Sequence, residues 1–151
     1  WFGIMSAVYA IAAVVWSLVL SKIPATKNKT GYALSLFLGA IGFTSVFFIH
    51  SQYLLIGSFI LIGISWAGMM AYPFIMVTNA LPGDHMGTYL GLFNGSICLP
   101  QILASVASFA LFPALGSHFP SMILVSGILM LIGAVSVGLI NEIHSNPVDA
   151  Q

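Results

Sequence analysis

Arginine is absent from this sequence, and charge of either sign is scarce. Three lysines and three acidic residues make up 4% of the 151 residues, where soluble domains carry about 25% charge. A chain so poor in charge has too little polar surface to be held in water. A net charge of zero and the lack of any guanidinium also remove the basis for nucleic-acid binding. Cysteine occurs once, as Cys98 inside an apolar segment. An intrachain disulfide is therefore excluded, and the thiol reads as a small hydrophobic group within the membrane.

The groups from which catalysis is built are missing as well. There is no H-E-x-x-H helix and no G-x-S-x-G elbow, and no apolar segment holds a pair of carboxylates. His50, His85, His118 and His144 fall at the edges of the apolar segments. The neighbouring Asp84 and His85 read as a helix cap beside a solvated histidine. The expectation is a chain that is not an enzyme and has neither cofactor nor metal.

What is present is hydrophobicity, 60% of all residues. Spanning a bilayer takes about 20 mostly apolar residues. Five segments qualify, at about 2–20, 31–49, 53–81, 86–112 and 120–140. Backbone polar groups must be satisfied within lipid, so the segments are helices, and the fold class is all-α, a polytopic membrane helix bundle. Short connections force successive helices to run antiparallel. Pro120 suits the first turn of the fifth helix, where a missing N–H is harmless. Trp1 and Tyr53 suit the membrane interface. Lys22, Lys27 and Lys29 share one connection, 21–30, which the positive-inside rule places in the cytoplasm together with the C-terminus. The membrane is then the plasma membrane, or the inner membrane of a bacterium. The chain opens at Trp1 without a charged leader, and five spans suit the last helices of a longer, even-numbered bundle; residues 1–151 read as one such fragment.

Polar groups inside these segments are few and periodic. In the fourth helix Asn94, Cys98, Gln101, Ser105 and Ser108 step by three or four residues and fall within about 80° of one another on an ideal helix. Pro100 removes a backbone hydrogen bond beside Gln101 and predicts a kink. Such a stripe faces a water-filled cavity or bonds to neighbouring helices. Gly87, Gly91 and Gly95, each four apart, form a small-residue face for close helix packing or for sliding. In the third helix Ser58, Ser65, Met69, Tyr72, Met76 and Asn79 form a second stripe, interrupted by Pro73, with Trp66 about 100° away. Tyr72 and Trp66 there read either as cavity-lining aromatics or as filler. Tyr9, Ala13 and Trp16 make a looser stripe in the first helix. The second and fifth helices, mostly Gly, Ser, aliphatic and Phe, read as outer, lipid-facing elements.

The run 63–101 resembles the C-terminal half of sucrose/maltose-type glycoside–pentoside–hexuronide:cation symporters, a branch of the major facilitator superfamily. The residues that carry the resemblance are Gly68, Tyr72-Pro73-Phe74, Leu81-Pro82, Gly87, Gly91, Asn94 and Leu99-Pro100-Gln101. The resemblance implies that the five spans are helices eight to twelve, with the first, third and fourth lining a pore. It places Lys27 and Lys29 where the superfamily has a basic cytoplasmic loop, although here that loop's pattern is reduced to lysines. It implies a sugar substrate and proton coupling, and the family's charged coupling and sugar-binding residues belong to N-terminal helices outside this chain. Asn94, Gln101, Tyr72, Asn79, Trp66, Tyr9 and Trp16 are the candidate substrate-pathway residues. Expected partners are membrane lipid, a neutral sugar with protons, and those N-terminal helices. The alternative is a non-transporting membrane scaffold or subunit.

The orientation is testable. With Lys27→Cys as the one thiol of the full-length protein, a membrane-impermeant maleimide should label inside-out vesicles and not intact cells. The opposite pattern would invert the topology.

Overall fold

The structure, a computed structural model, describes residues 1–24, 27–80 and 85–139. Its elements are α1 (Phe2–Leu20), α2 (Asn28–Phe48), α3 (Gln52–Ala80), α4 (Met86–Ala114) and α5 (Phe119–Val137). All five are long and apolar enough to cross a membrane, and no strand occurs among the described residues. The all-α reading of the sequence is thus met, with boundaries displaced by a few residues. At 29 residues each, α3 and α4 extend roughly 44 Å, more than the ~30 Å hydrocarbon core. They run helical through Pro73 and through Pro100 and Pro113.

The helix ends follow local chemistry. Pro120 sits in the first turn of α5, as its missing N–H favours. At the end of α4, Gly116 takes a left-handed conformation (φ 75°) and its N–H bonds to the Pro113 carbonyl at 3.1 Å. The Ser117 N–H reaches the Phe112 carbonyl at 2.9 Å. This pair of bonds is a Schellman closure, which satisfies carbonyls that lipid cannot. His85, with φ 66°, precedes the first turn of α4 and makes no side-chain cap. Asp84, the residue expected to cap it, lies outside the described residues.

Four helices pack side by side in the order α1, α3, α2, α5. The second helix is therefore an inner element and not the lipid-facing one that its plain composition suggests. Its buried residues explain why: Asn28, Gly31, Ser35, Leu36, Gly39, Ala40 and Gly42 are mostly small. A Cβ on Gly31 would overlap the Tyr72 hydroxyl, and one on Gly39 would overlap Ser65. A Cβ on Gly42 would come within 3.0 Å of the Ser58 carbonyl. Residue numbers rise along α2 as they fall along α3, so the pair is antiparallel and in register over about four turns, from Gly31 against Tyr72 to Ser45 against Ser58.

Several serine hydroxyls along this seam are satisfied by neighbouring groups. Ser45 donates to the Gly42 carbonyl at 2.7 Å, so the 2.7 Å contact between the Ser45 and Ser58 hydroxyls uses the Ser58 proton. On its other side α2 meets α5, where a Cβ on Gly127 would lie 2.7 Å from Thr44 Oγ1. Ser65 on α3 reaches Met130 Sδ on α5 at 3.9 Å, and Gly39 is the gap that allows it. The first helix runs parallel to α3. Trp1 packs edge-on against Tyr53 at one end (5.3 Å, 89°), and further along the Tyr9 carbonyl rests on Gly63.

The fourth helix stands apart from this layer. It meets α5 near their connection, where the rings of Phe112 and Phe119 lie 5.0 Å apart, and otherwise makes few contacts. None of its most apolar stretch is buried among the described residues.

Filling the seam should be costly. Gly39→Leu should destabilise the folded protein by about 1–3 kcal/mol through overpacking, read as a lower melting temperature in detergent. Gly57 has nothing within reach of a Cβ. Gly57→Ala should be neutral or gain up to about 1 kcal/mol from helix propensity. Equal effects at the two positions would refute the seam.

Candidate functional site

The sequence-derived pathway residues divide into two groups in space. Tyr9, Trp16 and Tyr72 lie within the four-helix layer, whereas Asn94 and Gln101 lie on the detached α4. The structure does not bring the two groups together.

Within the layer, the polar atoms of the aromatic residues are largely committed to packing. Trp16 is half-buried, and its indole N–H donates to the Ser35 hydroxyl at 3.1 Å. Ser35 is fully buried and passes its own proton to the Gly31 carbonyl at 2.8 Å. From α3, Gly68 packs closely on the same serine, where a Cβ would lie 2.6 Å from Ser35 Oγ. Tyr72 is 1% exposed and sits on the α2 backbone at Gly31, its ring 5.9 Å from that of Tyr32. It is not on an open cavity wall in this arrangement. The periodic stripe that suggested a wall, Ser58, Ser65 and Tyr72, is the side of α3 that packs on α2.

Tyr9 borders a cavity of about 300 Å³ between the helices, together with Phe2, Ser6, Phe43, Phe59 and Ile123. Its walls are almost wholly apolar. They lack the convergent donors and acceptors that a sugar would require. On α3, Trp66 and Asn79 are exposed, Trp66 with nearly half its surface open.

The stripe on α4 is different. Asn94, Cys98, Gln101, Ser105 and Ser108 are all exposed. Ser108 bonds back to the Ala104 carbonyl at 2.7 Å, the usual way a serine hides its hydroxyl within a helix. The amides of Asn94 and Gln101 form no side-chain hydrogen bond among the described residues. They stand seven residues apart, roughly 10 Å along the axis, with Cys98 between them and Pro100 beside Gln101. An amide in hydrocarbon without a partner costs several kcal/mol by transfer scales, about 4–8 kcal/mol. Such a stripe calls for water, a ligand or another helix. The glycines Gly87, Gly91 and Gly95 face open space, with nothing a Cβ would meet within 4 Å. No described residue packs on that face.

Of the basic residues, Lys22 and Lys27 are exposed at the α1–α2 connection. Lys29 donates to the Gly138 carbonyl at 2.9 Å. A cation at the C-terminus of α5 is favourable with the helix dipole and ties the basic connection to that helix end. Among the described residues no cluster of histidine, cysteine or carboxylate is able to hold a metal.

The structural residues that the periodicity reading passed over are Gly31, Ser35 and Gly39. Their signal was present as small residues four apart on one face. It has the same form as the Gly87, Gly91 and Gly95 series, and sequence spacing alone does not say which of the two faces is covered.

Comparison with known families adds one finding. No curated protein and no solved structure matches the chain. A family model, however, matches residues 1–149, essentially the whole sequence. Five helices long and apolar enough to cross a membrane agree with it. By that match the chain belongs to the Major Facilitator Superfamily, a family of integral membrane transporters.

Proposed function

We propose that the chain forms part of a secondary active transporter for a neutral di- or oligosaccharide, working by proton symport and alternating access. In this reading the five helices are helices eight to twelve of the transporter. The N-terminal helices of the same protein face them, and the lysine-bearing connection is cytoplasmic. The observation that carries the reading is the uncommitted amide pair on α4. Asn94 and Gln101 offer donors and acceptors without charge, the chemistry that suits a neutral polyol. They lie on an apolar helix with nothing covering it in the described chain. Trp66 and Asn79, exposed on α3, supply further pathway groups. The absence of Lys, Arg, Asp and Glu from the central parts of these helices assigns proton coupling to residues elsewhere in the transporter.

Gly87, Gly91 and Gly95 fit the same reading as a face on which a further helix of the transporter rides. Pro100 follows the glycine face and Asn94, and Gln101 comes directly after it.

Two experiments test this. In the full-length protein, Asn94→Ala and Gln101→Ala should each reduce proton-driven uptake of labelled maltose or sucrose at least tenfold, with membrane levels unchanged. Tenfold corresponds to about 1.4 kcal/mol, within the range for a lost hydrogen bond to substrate. Normal uptake in both variants would remove the stripe from the pathway. Separately, Cys98 as the sole thiol should react with a small water-soluble maleimide and be protected by the transported sugar. Reaction that is indifferent to sugar would mean that this face of α4 meets another helix or lipid instead.

A further inference from the structure

One buried polar atom of the seam has no partner. The Tyr72 hydroxyl is shielded from solvent and forms no hydrogen bond among the described residues. Buried hydroxyls are rarely left so, because the group loses its bond to water and gains none in return. Its nearest neighbour on α2 offers it nothing. The Gly31 carbonyl already accepts the Ser35 hydroxyl at 2.8 Å and, by helix geometry, the Ser35 N–H as well. Both lone pairs of that oxygen are used. What holds Tyr72 here is shape: the side-chain-free notch of Gly31 and the ring of Tyr32.

Two features beside this hydroxyl make the arrangement convertible. Pro73 follows Tyr72 directly and supplies no N–H to the Met69 carbonyl, so α3 lacks one backbone bond at this level. Asn28 lies one turn before Gly31 on α2 and is also buried, with 7% of its surface exposed. Its side-chain carbonyl is a strong acceptor on the same side of the seam.

We propose that Tyr72 is a positioning residue of the transport cycle. Its hydroxyl is without an acceptor while the ring is seated at Gly31, and it donates to the Asn28 side-chain carbonyl when α3 bends at Pro73 in the alternate arrangement. The proposal rests on the transport reading of the chain. The hydroxyl then disfavours the seated state and favours the other, so the same O–H biases a two-state element in one direction.

The test uses the full-length protein with its other cysteines replaced, Cys98→Ser included, and spin labels at Leu34→Cys on α2 and Phe74→Cys on α3. Both of these positions are exposed. The parent should show two inter-label distances. Tyr72→Phe should shift the populations roughly tenfold toward the seated distance, since it removes the unsatisfied group and keeps the ring. Asn28→Ala should shift them the same way by removing the acceptor, and the double variant should go no further than the larger single one. Unchanged populations in Tyr72→Phe, or fully additive shifts, would overturn the proposal. So would a lower melting temperature for Tyr72→Phe, which would mean that the hydroxyl has a partner in the seated state. The distances need no substrate, so a failure to transport maltose or sucrose is read separately from a failure of the latch.

Discussion

Close approach of α2 to its neighbours is the constraint on which the rest depends. Lipid is as apolar as leucine, so burying leucine between helices in a bilayer gains little. Association must come from van der Waals contact and from hydrogen bonds that the solvent cannot offer. Gly31, Ser35, Gly39 and Gly42 provide both. The glycines let Tyr72, Ser65 and the Ser58 carbonyl reach the α2 backbone, and Ser35, packed on Gly68, binds the Trp16 indole. Three helices are thereby joined at one level by Ser35 and the glycines around it. The fifth follows because Gly39 of α2 admits Met130 of α5, and Gly127 of α5 admits Thr44 of α2.

That packing determines which polar groups remain for function. Serine hydroxyls in the layer are taken up by neighbouring carbonyls, hydroxyls or, for Ser65, a thioether. The indole of Trp16 is taken up by Ser35, and the aromatic-lined cavity beside Tyr9 is almost purely apolar. The four-helix layer thus behaves as a scaffold with its polarity turned inward. The fourth helix has the reverse character: its amides are unspent and its glycine face is open.

The seam itself is not uniform. At one end Ser45 and Ser58 are bonded, and in its middle Gly39 and Ser65 are interlocked with Met130. At the other end, beside Pro73, Tyr72 is held by shape alone. Strength therefore falls along α3 toward the helix end where backbone bonding is also weakest.

Much of this was legible in the residues, and the reasons for what was not are specific. Scarcity of charge and five apolar runs determined an all-α membrane fold, because hydrocarbon leaves the backbone no other way to satisfy its groups. Pro120 and the short connections marked helix ends through local chemistry that needs no distant partner. The polar stripe on α4 was readable as a stripe because helical period is a local property. Which face is covered is not local. Gly31, Ser35 and Gly39 have the same spacing as Gly87, Gly91 and Gly95, yet the first set is buried against α3 and the second faces nothing in the described chain. The stripe of Ser58, Ser65 and Tyr72, which its spacing leaves open between cavity-lining and packing, packs on α2. Periodicity names a face, and only the tertiary structure, by deciding which helices come within contact distance, says what that face meets.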